Sequence, residues 1–538
     1  MKRYNQTIKI KARNIVIKNA INALTSNRSK STLARRSYLA DIKKFIKNSN
    51  NSYEIKEILK LTEETIIKWE NFYDSTIDNK QAKELKIAYL SGSNPENDLK
   101  VFCEHGVLPE NIWAFESDNS TYLEAIQSAL ISNFPFIKII DSGIDKFLKV
   151  SPQKFDIIYL DFCGPLPTKS KKQKTLQTIT NILDNHSLNS LGILITNVSL
   201  PTKEQDQKTR DLISKLVSLY LYPKDFLENS EQEDHNMKDG PIAYGYSPNN
   251  WLKKVETNLE NYYGQFITRL LIDHSNFISS YNRFSKHKEV FNRFFNIKNK
   301  QQMENKINNL FHFTSECKGG DVICESGQYS LLWTIASLSK KINQKDVNYP
   351  QSIYTDCDFE KFAELFLQQL NVNSNSKELI NNLSQISILL SENKNIEFLS
   401  EPMQNFKKNH SWKNYYQFCD LFLFHQILEI LFRQITTPYH VNIEKTMRWT
   451  YTAKSTTMFM DMFVLDEARY LYDWMPTIDM FQKGINDIER QLSFRLVLDG
   501  ISKHCRWYNN EFFSGTAIID QFEDSFEAKI LKPRIKLN

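Results

Sequence analysis

The chain lacks both a long apolar run and a recognisable cysteine framework. Its most apolar stretch, LFLFHQILEILF, contains His425, Gln426 and Glu429, so it falls short of the about 18 uninterrupted apolar residues that indicate a membrane span. The cysteines are odd in number and widely scattered, as is typical of a reduced cytoplasmic protein. The basic start has no apolar stretch typical of a secretory signal. We expect a cytoplasmic protein without membrane association.

Several motifs that would define a reaction are also missing. The sequence contains no phosphate-binding P-loop, no His-Glu-x-x-His helix, no Gly-x-Ser-x-Gly elbow and no Gly-x-Gly-x-x-Gly fingerprint. His312, Cys317 and Cys324 lie near one another but lack the paired spacing of a zinc site. We therefore predict no metal centre.

Acidic residues are absent from the first forty positions. The net charge of the whole chain is only +5, yet no Asp or Glu precedes Asp41. A block of one sign attracts polyanions, so residues 2–36 predict contact with nucleic acid; the alternative is a solvated helical face. The basic residues are Lys2, Arg3, Lys9, Lys11, Arg13, Lys18, Lys30, Arg28, Arg35 and Arg36.

What is present is enough apolar sequence for two or three folding units in 538 residues. Apolar spacing predicts helices over Ile8–Leu24, Thr32–Lys47 and Tyr53–Tyr73. We predict a basic helical region over residues 1–80, an α/β domain over 81–228, and a mostly helical region over 241–538 that would recognise substrate.

The α/β domain is predicted from five short apolar strands that alternate with helices. Such alternation indicates a doubly wound, mostly parallel sheet covered on both faces. The strands are KIAYLS, NIWAFE, FIKIID, FDIIYLD and LGILITN; the helices follow at Glu96–His105, Ser120–Ser132, Gly143–Lys149, Lys172–Asn185 and Lys203–Leu219.

Candidate binding residues fall at the carboxyl ends of these strands, where parallel sheets bind ligands. The first strand leads into a turn with one residue free to adopt positive φ, a helix N-cap and a proline. The second strand ends at an acid, where Rossmann-like folds bind ribose hydroxyls. The residues are Ser91, Gly92, Ser93, Asn94, Glu116, Ser117, Asp141, Ser142 and Asp161.

This arrangement resembles the core of class I S-adenosylmethionine-dependent methyltransferases over about residues 84–220. The resemblance implies that Ser91–Asn94 line the methionine moiety, that Glu116 and Ser117 bind the ribose, and that Asp141 and Ser142 lie near adenine. Family members carry more glycines in the first turn and an acid two positions before the first of them, where this chain has Leu90. A glycine turn followed by one acid is also typical of nicotinamide-dependent enzymes, but their Gly-x-Gly-x-x-Gly fingerprint is absent from this sequence.

The end of the fourth strand supplies the candidate catalytic residues Asp161, Phe162, Cys163 and Gly164. DFCG shares its Asp and Gly with the Asp-Pro-Phe-Gly pattern of tRNA guanine-N2 dimethyltransferases, and lacks the paired prolines of adenine amino methyltransferases. The Cys163 thiol could also be the nucleophile in a covalent attack on a pyrimidine ring. The alternative is that Cys163 is a small residue packed beneath the turn.

The function predicted from the sequence is methyl transfer from S-adenosylmethionine to an RNA or DNA base. Asp161 would orient the acceptor amine, and the base would be flipped or single-stranded. Two alternatives stay open: a protein or small-molecule acceptor, and a non-catalytic protein that keeps the fold and binds nucleic acid.

Neutralising the basic start tests the nucleic-acid prediction. We expect binding of single-stranded RNA or DNA to weaken as salt rises, because phosphate contacts release counterions. Replacing Arg35 and Arg36 by glutamine should lower both the affinity and the salt slope in a fluorescence-anisotropy titration. Binding that is absent at low salt, or unchanged in this variant, would contradict the prediction.

Overall fold

The computed structural model describes residues 7–48, 50, 52–168, 174–221, 248–285, 356–372, 399–409, 434–474 and 533–538, with isolated positions at 289, 292–293, 296, 334–335 and 338. His312, Cys317 and Cys324, whose spacing was compared above with that of a zinc site, lie outside this part. No helix among the described residues is long and apolar enough to cross a membrane.

The described strands form one nine-stranded sheet in the order β3-β2-β1-β4-β5-β8-β7-β9, with β6 paired to β8. The first five are parallel, and β8 runs antiparallel to β5 and β7. The strands are β1 Ile87–Leu90, β2 Ile112–Glu116, β3 Lys138–Asp141, β4 Phe155–Asp161, β5 Leu188–Leu200, β6 His440–Val441, β7 Met447–Ala453, β8 Thr456–Asp466 and β9 Ile535–Lys536.

Helices cover both faces of this sheet. In chain order the described α-helices are α1 Thr7–Leu24, α2 Arg28–Ser31, α3 Tyr38–Lys47, α4 Ser52–Ile58, α5 Glu63–Thr76, α6 Glu96–Glu104, α7 Asn119–Leu130, α8 Ile144–Val150, α9 Thr175–Asp184, α10 Lys203–Leu221, α11 Pro248–Thr257, α12 Leu259–Asp273, α13 Ser279–Ser285, α14 Cys357–Gln369, α15 Glu401–Asn409 and α16 Arg469–Tyr472.

Alternation along the strands divides the core into two clusters. Ala88 and Ile158 point to one face, where α8–α14 pack. Ile87 and Ile157 point to the other face, where α1 and α6 pack. A strand exposes successive side chains on opposite faces, so apolar residues at consecutive positions require cover on both sides. The predicted α/β architecture with a mostly parallel sheet is present.

The basic N-terminal region contains a helix that packs directly on the central sheet. α1 buries Val16, Ile17 and Ala20, and these side chains belong to the same apolar cluster as β1, β4 and β5. Helix α1 is therefore a layer of the central fold, and it brings Lys9 to the end of β4.

The C-terminal region also contributes more than helices. Strands β6–β9 come from the predicted mostly helical region, and β8 pairs with β5 over ten positions from Leu191↔Asp466 to Leu200↔Thr457. The sequence pattern missed β8 because it is buried on both faces from Met458 onward, which removes the polar alternation of a half-exposed strand. The sheet thus crosses the predicted limit between the second and third regions.

Arg534 fixes the final strand beside β7. Its guanidinium pairs with the buried Asp461 carboxylate and donates to the carbonyl oxygen of Gly264 at 2.9 Å and the hydroxyl of Thr268 at 3.0 Å. Breaking a buried pair leaves an uncompensated charge.

We expect Arg534→Met to lower the free energy of unfolding by about 3–5 kcal/mol, the usual range for a buried pair that loses one partner. Chemical denaturation measures it. Lys536→Met, two positions later on an exposed side chain, is the matched control and should change stability little. Equal effects of the two variants would show that the pair does not anchor this strand.

Candidate functional site

The loop after β1 lies directly beside the end of β2. Leu90 pairs in register with Phe115, and the Ser91 amide donates to the Phe115 carbonyl oxygen at 3.0 Å. Gly92 has φ +60°, and a Cβ built there would have no atom within 4 Å. The single glycine of the loop therefore has the left-handed backbone that glycine favours and faces open space.

Helix α6 follows this loop but is not capped as predicted. It begins at Glu96 after Pro95, and no side chain caps it. Asn94 instead donates to the Ser93 hydroxyl at 3.0 Å. Ser93 and Asn94 stay in the loop, and the first helical amides lie next to them.

Glu116 ends β2 and lies in register with Asp141 at the end of β3. One Glu116 carboxylate oxygen, Oε1, accepts the amides of Ser117 and Asp118 at 2.7 and 2.8 Å. Among the described residues no donor contacts Oε2. The carboxylate is thus held against its own loop with one oxygen left for a ligand hydroxyl.

Asp141 and Ser142 lie further out. Asp141 is exposed, and β3 is three strand positions from β4 in the sheet order, a separation of roughly 14 Å at the usual strand spacing. Ser91–Asn94 follow β1, and Glu116 and Ser117 lie at the end of the neighbouring strand β2. Asp141 and Ser142 lie at the end of β3, on the far side of β2 from β1.

Asp161, at the end of β4, is the most enclosed acid of this edge. Its Oδ1 accepts the Asn197 amide at 2.7 Å, and its Oδ2 pairs with the Lys9 ammonium at 2.8 Å. The Asn197 amide also donates to the Tyr451 hydroxyl at 2.8 Å. Two elements far apart in sequence, α1 and β5, therefore contact this carboxylate, and β7 is linked to it through Asn197.

The electrostatics at Lys9 follow from this pairing. Burial alone would lower the pKa of the Lys9 ammonium, but the charge of Asp161 and its hydrogen bond outweigh burial and raise it. The Lys9 side chain is thus protonated at neutral pH and is not a candidate base.

A second ion pair lies behind the first. Arg13 of α1 contacts the buried Asp98 of α6 at 2.5 Å. Burial raises the pKa of Asp98 to about 6, and the charge of Arg13 opposes the rise. Helix α1 is therefore joined by charge to the helix that follows the glycine loop.

The residues after Asp161 form a turn held to β5. Phe162 donates its amide to the Asn197 carbonyl oxygen at 2.9 Å, and Gly164 accepts the Ser199 amide at 3.1 Å. Phe162 packs against the apolar core, whereas Cys163 is exposed and free. Phe162 and Gly164 shape the turn, and Cys163 presents its thiol at the edge.

The Cys163 thiol is poorly suited to covalent attack. Although the residue as a whole is exposed, partial desolvation of the sulfur raises the pKa of the Cys163 thiol; the charges of Asp161 and Glu116 add to the rise, and the charge of Lys9 opposes it. A raised pKa lowers the thiolate fraction, and the thiolate is the nucleophile. Cys163 lies two positions after Asp161, at the end of β4.

Lys9, Arg13, Asp98, Asn197 and Tyr451 were not among the predicted site residues. A signal existed for Lys9 and Arg13, which were part of the basic start, and for Asn197, which ends the predicted strand LGILITN. Several cations of that start are engaged inside the chain: Arg36 pairs with Asp74 and Glu70, and the Arg28 Nε donates to the Asp78 carbonyl oxygen. The nucleic-acid partner stays a prediction.

No family model matches the chain, and no curated protein matches it. Among solved structures, the chain is similar to protein arginine methyltransferase 10 of Arabidopsis thaliana at 15% identity and a TM-score of 0.17, over 40% of this chain and 55% of that one. The chain thus spans about half of that protein.

The reactivity of Cys163 reports on the charges of the site. Replacing Asp161 by Asn removes a negative charge and should lower the thiol pKa, whereas Lys9→Met removes a positive charge and should raise it. The pH dependence of iodoacetamide alkylation at Cys163, followed by peptide mass spectrometry, measures both shifts, with Cys357 as internal reference. Shifts of the same sign in both variants would contradict the described arrangement.

Proposed function

We propose that the chain is an S-adenosylmethionine-dependent methyltransferase whose acceptor nitrogen binds at Asp161. The observation that carries the proposal is the convergence of the Gly92 loop, Glu116 and Asp161 at the carboxyl edge of parallel strands. A pocket at this edge is the usual ligand site of open α/β sheets.

The described residues fit the cofactor. The open space at Gly92 admits close approach of a ligand to the backbone, and the unpartnered Oε2 of Glu116 suits a ribose hydroxyl. Ser91–Asn94 would hold the methionine moiety, Glu116 and Ser117 the ribose, and Asp141 with Ser142 the adenine. When bound, the cofactor supplies a methyl group made electrophilic by its sulfonium.

The chain's own residues would act by positioning. Asn197 fixes Oδ1 of Asp161, which orients Oδ2 toward the edge, where it can accept an N–H of the acceptor. Correct alignment of a nitrogen with a bound methyl group supplies a large part of the rate enhancement in such reactions. The RNA or DNA base of the sequence prediction is one such N–H donor, and the cytoplasmic location stays a prediction.

Calorimetry with S-adenosylmethionine and with S-adenosylhomocysteine tests the proposal. We expect binding by the wild type and a loss of about tenfold or more for Glu116→Ala, because a charge-assisted hydrogen bond contributes about 1.5–3 kcal/mol. Glu124→Ala, an exposed acid on α7, is the control and should bind as the wild type does.

Absence of binding heat at high protein concentration would overturn the enzyme proposal and favour the non-catalytic alternative. Binding that Glu116→Ala leaves unchanged would place the cofactor elsewhere.

A further inference from the structure

The acceptor end of the proposed site already holds an amine. Lys9 places its ammonium 2.8 Å from Oδ2 of Asp161, and the two side chains are 30% and 10% exposed. The other oxygen is held by Asn197, whose side chain is fully buried. Lys9 is therefore the solvent-side partner of this carboxylate.

Lys9 can leave without unfolding its helix. It lies in the first turn of α1, where Thr7, Ile10 and Lys11 are exposed, and the buried face of the helix starts at Ala12. The Lys9 stem has four rotatable carbons, so rotation of the side chain is enough to uncover Asp161. Arg13 and Asp98 hold the next turn of the helix in place.

We propose that the Lys9 ammonium occupies the position at Asp161 that the acceptor takes during the reaction. The acceptor is then a primary ammonium group, as on a lysine side chain or a free polyamine. The inference rests on the proposed function and names its substrate class. An incoming ammonium displaces Lys9 and takes over its contact with Oδ2. A neutral base amine gains less from a carboxylate than a cation does, which favours the ammonium over nucleic acid.

The transfer step requires one proton to leave. The bound ammonium gives a proton to Asp161, which releases it to water, and the nitrogen lone pair is then free. That pair forms the N–C bond with the donor's methyl group, while the C–S bond breaks and leaves its electrons on sulfur. Since only the deprotonated amine reacts, the rate rises with pH up to the pKa of the bound acceptor.

Three single variants separate this role from a structural one. Lys9→Met removes the competitor, so kcat/KM for spermidine and for a lysine peptide should rise about tenfold if Lys9 occupies Asp161 in about nine-tenths of molecules. Lys9→Arg should lower kcat/KM, because a guanidinium binds a carboxylate in a bidentate manner. Lys18→Met, an exposed lysine of the same helix, should change nothing.

A merely structural Lys9 gives the opposite order, with Lys9→Arg close to wild type and Lys9→Met impaired, and that result would overturn the proposal. Methyl transfer to a single-stranded oligonucleotide but to neither amine would also overturn it. A preference between spermidine and the peptide identifies the source of the ammonium.

A cofactor-free measurement keeps the two proposals separable. The Lys9→Met variant leaves Asp161 without its cation, so the Tm of the variant should fall below that of the wild type. Added n-butylammonium should restore this Tm. Tetramethylammonium, which has no N–H to donate, should not restore it. Failure of this rescue would overturn the ammonium site. Rescue without any S-adenosylmethionine binding would support the ammonium site and reject only the methyltransferase.

Discussion

Parallel pairing of β1, β2 and β4 is the constraint on which the site depends. Strands that run in one direction end at one edge, so the loop after β1, Glu116 and Asp161 become neighbours although they are distant in sequence. The pairing is specific, with Leu90 beside Phe115 and Tyr89 beside Tyr159. A shift by one residue would turn every apolar side chain to the wrong face, and the site would separate with it.

The sequence predicts the parallel half of the fold well because its signals are local. Five apolar strands, each followed by a helix, appear where the pattern places them; β4 matches FDIIYLD from Phe155 to Asp161. The antiparallel half was missed because β8 is apolar on both faces and its partner β5 lies half a chain away. Register between distant segments has no local signature.

The site residues likewise fall into those that a local sequence signal predicts and those that it does not. Gly92, Glu116 and Asp161 could be predicted because each follows a recognisable strand. Asn197 ends the predicted strand LGILITN, but nothing in that strand marks it as a partner of Asp161. Tyr451 lies in a region for which no strand was predicted. Lys9 is a basic residue in a basic block, and its contact with Asp161 emerges only when α1 packs on the sheet. Folding thus pairs Lys9 with a carboxylate of the same chain, a contact that composition alone does not reveal.

The pairing of β5 with β8 has a consequence for biosynthesis. While the ribosome makes the residues between them, β5 has a long, apolar edge whose permanent neighbour does not yet exist. Such edges template intermolecular strand association, and closing so long a loop is slow. The edge of β5 that pairs with β8 therefore stays without its partner strand until residues 456–466 have been synthesised.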